Sequence, residues 1–314
     1  MYYLNDYQEG QKFVGTYLCK QKQVLKTKAG KTYYSLTLQD KTGTADGKIW
    51  ELNNGIDDFD SMDFIHCEGM VTSFQGNLQM NISRVRKSQP GEYDPADYIP
   101  STNKDIDDMY KQVLAYVTSV KNRYLRQILD MYFVENKEFV DAFKKHSAAK
   151  SVHHGFLGGL LEHTLAVTNM CQYFADHYPM LNRDLLITAA LFHDMGKIQE
   201  ISDFPVNDYT DDGQLLGHIY IGAKAMEDAA AKIPGFPAKL KNELVHCILS
   251  HHGKLEFGSP KVPAIMEAMA LHMADNADAK LQTMTELFTK AGDNMDWLGY
   301  NRMFESNLRR TSLD

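Results

Sequence analysis

The chain has 314 residues, 44% of them apolar, which is enough to bury the cores of two ordinary domains and excludes wholesale disorder. Its net charge of −8 is unevenly spread: residues 1–90 carry 11 Lys and Arg against 10 Asp and Glu, and the remainder carries 22 against 31. Cys19, Cys67, Cys171 and Cys247 stand far apart without a CxxC, which argues against a disulfide framework or a thiolate zinc site and fits a reducing cytoplasm.

The N-terminus, MYYLNDYQEGQK, lacks the basic then apolar run of a secretory leader. Residues 10–87 alternate as strands do. Strands are predicted at 13–18, 33–38, 45–50, 64–72 and 78–85, with a tight turn at Gln39–Thr44 and a stretch of helix before the fourth strand. Five short strands in that order predict a small Greek-key barrel. From Gln11 to Gln39 there are six lysines (Lys12, Lys20, Lys22, Lys26, Lys28, Lys31) and no acid. Such a stripe suits a phosphate backbone, or is simply a solvated face. Residues 88–102, rich in Pro, Gly and acids, read as the end of this domain and a linker (91–103).

From Asn103 onward the apolar spacing becomes helical, as in Ile106, Met109, Tyr110, Val113, Leu114 and Val117. Helices are predicted at 104–120, 122–134, 136–146, 159–177, 182–194, 217–232, 238–252 and 262–289. The apolar run Leu185–Phe192 is too short to cross a bilayer, and no membrane association is expected. A polar tail, 291–314, follows. The fold class is therefore multidomain: an all-β barrel (1–90), the linker, and an all-α bundle (104–290).

Across the helical part, His163, the pair His193-Asp194, His218, the pair His251-His252 and Asp275 occur in that order. A lone His-Asp dipeptide is expected about once by chance in a chain of this composition. This one ends an apolar helix and is followed by Gly196, which suits a left-handed helix cap. A carboxylate can bridge two cations, and a neutral imidazole offers each one nitrogen. The mixture of His and Asp without Cys favours Mn, Fe, Co or Ni over structural zinc. Two such ions about 3.5–4 Å apart lower the pKa of a shared water for attack on phosphorus. Taken singly, each residue also has a structural explanation: His218 as a helix cap, His251-His252 as a helix end facing the dipole, Asp275 as a solvated position.

The order and spacing over roughly 150–285 resemble the HD-domain superfamily of metal-dependent phosphohydrolases. The segment 10–87, carried by YYSLTLQDKTGTADGKIW and FIHCEGMVTSFQGNLQMNISRV, resembles a nucleic-acid-binding OB-fold. Together with SVHHGFLGGLLEHT, LFHDMGKIQE, GHIYIG and LSHHGKLEFGSPKVPAIMEAMALHMADNADAK, the two domains resemble the YhaM family of 3′-5′ exoribonucleases. HHGKLEFGSP also resembles the HD-GYP cyclic dinucleotide phosphodiesterases, but Gly253 follows the His pair and the Gly-Tyr-Pro signature is absent.

The superfamily resemblance implies one cation at His163, His193, Asp194 and Asp275, with Asp194 bridging to a second at His218 and His251. It makes His252 a further ligand or a phosphate contact, and Lys197 a group facing the substrate phosphate. The pair His153-His154 matches a family histidine pair, which leaves open contact with substrate, closure of the site, or a plain loop role. The cofactor expected is a pair of divalent ions, Mn²⁺ first. The partner expected is single-stranded RNA, with single-stranded DNA as an extension, and homo-oligomerisation is left open. In the barrel, Lys20, Lys22, Tyr33, Tyr34 and Phe74, with Tyr17, are offered to the strand for stacking and phosphate contact, and about half the aromatics are expected in the core instead. The acidity of the helical part opposes a polyanion unless cations and the lysine stripe compensate. The alternatives are a phosphohydrolase of free or cyclic nucleotides with a regulatory barrel, a non-catalytic nucleic-acid-binding protein, and a di-iron oxygenase.

Overall fold

A computed structural model of the chain describes residues 3–53, 55–74, 77–94, 97–150, 154–292 and 294–312. Two compact units emerge, 1–103 together with 202–208, and the remainder.

The first unit is a closed five-stranded barrel of β1 (Lys12–Lys26), β2 (Thr32–Asp40), β3 (Gly43–Ile49), β4 (Phe64–Phe74) and β5 (Asn77–Lys87), in the order β1-β2-β3-β5-β4. β1 is much longer than predicted because it serves two neighbours. Its first half pairs with β4 and its second half with β2, and the register shifts between Cys19 and Gln21. Closure buries Phe13, Tyr17, Leu36, Leu38, Ile65, Val71 and Val85, the inward positions of a period-2 pattern. No helix forms among the described residues between β3 and β4; Phe59 of that stretch is buried in the barrel core instead. The predicted linker is not free chain. Tyr93 stacks on Phe64 at 4.0 Å between centroids, Tyr98 is buried, and the Tyr98 carbonyl accepts from Gln39.

The second unit holds α1 (Ile106–Ser119), α2 (Arg123–Phe133), α3 (Lys137–Lys145), α4 (Gly159–His177), α5 (Arg183–Phe192), α6 (Lys197–Glu200), α7 (Asp211–Ala231), α8 (Ala238–Ser250) and α9 (Met266–Lys290). Asp105, Asn122, Asn136, Asn182 and Thr210 cap the starts of α1, α2, α3, α5 and α7 through their side-chain oxygens. α5 is buried from Leu185 to Phe192 and packs against α4, α8 and α9, which makes it the axis of the bundle. Each of its large apolar side chains contributes about 1.5–3 kcal/mol of burial. α7 begins earlier than predicted and is kinked at Gly217 (φ 74). The tail forms a short hairpin, β6 (Tyr300–Asn301) with β7 (Ser306–Asn307), and Arg310 donates to the carbonyls of Phe288 and Gly292 near the end of α9. Among the described residues no helix is long and apolar enough to cross a membrane.

Candidate metal centre

The fold delivers the candidate ligands from five helices to one place. His163 lies one turn into α4, and Asp275 lies on α9. His193 and Asp194 occupy the turn after α5, and His251 and His252 the turn after α8. His218 follows the kink in α7. Gly196 is not a left-handed cap: it has right-handed helical angles (φ −64, ψ −18). Its role is close approach, because a Cβ there would lie 2.2 Å from the His218 carbonyl oxygen. Any larger residue would push α7, and His218 with it, away from Asp194.

Two groups of donor atoms share Asp194. On one side, His163 Nε2 lies 3.3 Å from Asp194 Oδ2 and 3.2 Å from Asp275 Oδ1, and His193 Nε2 lies 3.4 Å from the same Asp194 oxygen. On the other, Asp194 Oδ1 lies 3.5 Å from His218 Nε2 and 3.6 Å from His251 Nε2. His252 joins this second group, with one ligand atom of each member within 4.8 Å of the others. His163, His193, Asp194 and His251 are fully buried.

The outer nitrogens explain how these rings are aimed. His193 Nδ1 donates to the Ala190 carbonyl at 2.8 Å, His251 Nδ1 to Ile248 at 2.7 Å and His252 Nδ1 to Phe257 at 2.9 Å. A carbonyl can only accept, so the proton sits on Nδ1 and a neutral ring turns its Nε2 lone pair inward. Carboxylates do the same for the other two: Asp278 Oδ2 is 2.7 Å from His163 Nδ1, and Glu200 Oε1 is 2.8 Å from His218 Nδ1. Glu200 also accepts from the His218 backbone, which anchors the kinked start of that helix segment. Neither Asp278 nor Glu200 stood out in the sequence. The available signals were the i, i+3 spacing of Asp275 and Asp278 and the single turn from Lys197 to Glu200.

Charge completes the picture. Burial holds His193 down to about 4 and, with the imidazoles of His251 and His218 crowded beside it, His252 down to about 3, so both rings are neutral donors near pH 7. Burial opposes charge on His163, yet Asp194, Asp275 and Asp278 outweigh it and raise that ring well above its ordinary value. Burial would likewise raise Asp194, but Lys197 and the surrounding histidines hold it far below the ordinary carboxylate range. Lys197 is buried with its Nζ 2.7 Å from Asp194 Oδ2, so it faces the shared carboxylate. Asp194 Oδ1, His218 Nε2 and His251 Nε2 are buried without a hydrogen-bond partner. Desolvated lone pairs aimed at one another cost free energy unless an electrophile lies between them, and a divalent cation meets that need. The residues present thus fit two cations sharing Asp194.

The other expected contacts are placed as follows. His153 lies outside the described residues. His154 is 2% exposed with its Nε2 2.9 Å from Asp278, behind the ligand His163 and not on a surface open to a strand. In the barrel, Tyr17 is core, with its hydroxyl on Tyr7. Tyr34 meets Phe59 edge-on. Lys22 is drawn inward between the rings of Tyr34 and Phe59 (4.6 and 4.4 Å to the centroids) and donates to the Phe59 carbonyl. Lys20 is exposed, Tyr33 stacks on Trp50 at 4.6 Å, and Phe74 is 61% exposed.

Comparison with known proteins agrees with this arrangement. The HD domain matches residues 160–280. The 3′-5′ exoribonuclease YhaM of Listeria innocua is 32% identical over 268 residues, covering 84% of each chain. The chain belongs to the YhaM family. Further members at 32% identity are those of Halalkalibacterium halodurans, covering 88% of this chain and 86% of the relative, and of a Geobacillus species, at 83% and 80%. At 83–88% of this chain, these alignments extend well beyond the 160–280 that the HD domain matches.

Proposed function

We propose that the chain is a metal-dependent exonuclease that shortens single-stranded RNA from its 3′ end, releasing mononucleotides by hydrolysis of the terminal phosphodiester. The observation that carries this reading is the convergence of five inward Nε2 atoms and Asp275 around the shared carboxylate of Asp194. Membership of the YhaM family supplies the polarity and the substrate.

His163, His193, Asp194 and Asp275 would hold one cation, and Asp194, His218 and His251, with His252, the other. A bound pair would acidify a water near neutral pH and offset charge on the phosphoryl oxygens. Donors of imidazole and carboxylate without thiolate favour Mn²⁺, with Fe, Co and Ni next. Asp194 aligns the two halves, Lys197 neutralises part of its charge, and His252, which is only partly buried, is the ligand nearest to entering substrate. On the barrel, Lys20, Tyr33 with Trp50, and Phe74 face outward and suit phosphate and base contacts, while Lys22 and Tyr34 act through the fold. The same contacts would admit single-stranded DNA.

The test is a time course on RNA labelled at its 5′ end, with Mn²⁺, with Mg²⁺ and with EDTA. A descending ladder of labelled fragments that EDTA abolishes is expected. Intact RNA under every metal, with turnover of free or cyclic nucleotides instead, would falsify the exonuclease reading.

A further inference from the structure

We infer that His154 and Asp278 are positioning residues for one half of the metal centre: they set His163, and through it the affinity of the first cation site. The inference rests on the metal reading above. It starts from a single oxygen. Asp278 Oδ2 lies 2.7 Å from His163 Nδ1 and 2.9 Å from His154 Nε2, so one carboxylate oxygen accepts from two imidazoles. A carboxylate oxygen that faces two ring nitrogens at hydrogen-bond distance serves both as an acceptor. With Nδ1 donating outward, His163 Nε2 faces Asp194, Asp275 and His193.

The geometry of His154 shows that its place is constructed. It has left-handed backbone angles (φ 59), which a residue with a Cβ rarely adopts and keeps where its surroundings enforce it. Here its carbonyl accepts from the Ala148 amide at 3.0 Å, and its own amide donates to Glu286 at 3.2 Å. Gly159, the first residue of α4, leaves room for it, since a Cβ there would lie 2.0 Å from the His154 carbonyl oxygen. His154, five residues before the start of α4, is thereby fastened to Glu286 and Asp278 of α9. His154 contributes no ligand to the shared carboxylate; it holds Asp278 against His163. The trio His154, His163 and Asp278 has the composition of a third cation site. The double hydrogen bond argues otherwise, because a cation there would have to break both contacts and take His163 from its first partner.

Outer-shell partners of metal-bound histidine are worth roughly 10- to 100-fold in metal affinity. The test is Mn²⁺ titration of the metal-stripped full chain, followed by calorimetry and by electron paramagnetic resonance. Wild type should bind two ions and show the signature of a coupled pair. In Asp278→Ala one binding step should weaken about 10- to 100-fold while the other, at His218 and His251, keeps its affinity, and the spectrum should become that of isolated Mn²⁺. Asp278→Asn keeps the volume and one accepting oxygen, and should lose less. His154→Ala should weaken the same step by a smaller factor, and His154→Gln, which can still donate to Asp278, should recover part of it. General damage to the fold would weaken both steps together and overturns the inference, as does an Asp278→Ala protein that binds the pair as wild type does. A wild-type stoichiometry of three that falls to two in Asp278→Ala also overturns it, in favour of a third site. A wild-type chain that takes up no Mn²⁺ pair removes the metal reading and the inference with it.

Discussion

The five histidines of the candidate centre in the helical unit are buried or partly buried, and each has a second partner that aims it: Ala190, Ile248 and Phe257 carbonyls, Glu200 and Asp278. In the barrel, the side chains offered to a nucleic acid divide instead. Lys22, Tyr17 and Tyr34 are taken up by the barrel's own packing, and Lys20, Tyr33 and Phe74 remain outside. The difference follows from what each unit would have to do. Chemistry on a phosphodiester requires donors fixed to a fraction of an ångström, which only a packed interior with outer-shell hydrogen bonds provides. Holding a flexible strand of any sequence requires exposed charge and ring faces, for which approximate placement suffices.

The sharpest way to break this contrast is at Asp194. Asp194→Ala should lower RNA digestion by at least about 10³-fold, or roughly 4 kcal/mol of barrier, because both halves of the centre lose their common ligand. RNA affinity measured in EDTA should not change. Digestion near the wild-type rate would sink the bridging role, and lost affinity would show that the centre and not the barrel holds the strand. A step smaller is Glu200→Gln, which leaves His218 in place but removes the charge that orients it. The second cation step should weaken about 10- to 100-fold. Equal weakening of both steps would mean that the two halves are not separately supported.

How far the sequence disclosed this centre depends on which atoms are considered. The order His163, His193-Asp194, His218, His251-His252, Asp275 was legible because each lies on or at the end of a periodic apolar helix, and helices can be placed from their 3.6 period. The bundle brings those residues together. Asp278 and Glu200 were not legible, since single carboxylates on helix surfaces are common and only three-dimensional proximity distinguishes them. The real function of Gly196 was hidden for the same reason: a glycine that ends a helix and a glycine that admits a neighbouring carbonyl look alike in a chain. In the barrel, the alternation of β2 separates Tyr33 from Tyr34 correctly in principle. The irregular register between Cys19 and Gln21 spoils the same argument for Lys20 and Lys22, which regular alternation would place on one face.

Metal removal sharpens the comparison at the level of stability. In the cation-free chain His163 has a raised pKa, so its ion pairing stabilises the fold fully below the unfolded value near 6.5 and is lost as pH rises through the folded value. Cations have the opposite sign, since they compete with protons for the same nitrogen and bind better as pH rises. The stabilisation by Mn²⁺, about 4 kcal/mol at a thousandfold excess over the dissociation constant, should therefore widen from pH 6 to pH 8. Thermal unfolding with Mn²⁺ and with EDTA at several pH values measures the gap. A gap that narrows with rising pH would contradict the assignment of His163 as a ligand.

The smallest effects separate two lysines of one strand. Lys22 is sandwiched by Tyr34 and Phe59 and its side chain is 12% exposed, so Lys22→Ala should cost about 1–2 kcal/mol of stability and leave the salt dependence of RNA binding as it was. Lys20 is exposed, so Lys20→Ala should leave stability within about 0.5 kcal/mol. It should reduce the slope of log affinity against log salt by about 0.7, the share of one phosphate contact on a single strand. Fluorescence anisotropy with labelled RNA in EDTA over a series of salt concentrations reads the slope, and chemical denaturation reads the stability. The reverse pattern, a salt effect at Lys22 and none at Lys20, would mean that the strand displaces the Lys22 ammonium from its aromatic cage, and that the barrel rearranges to bind.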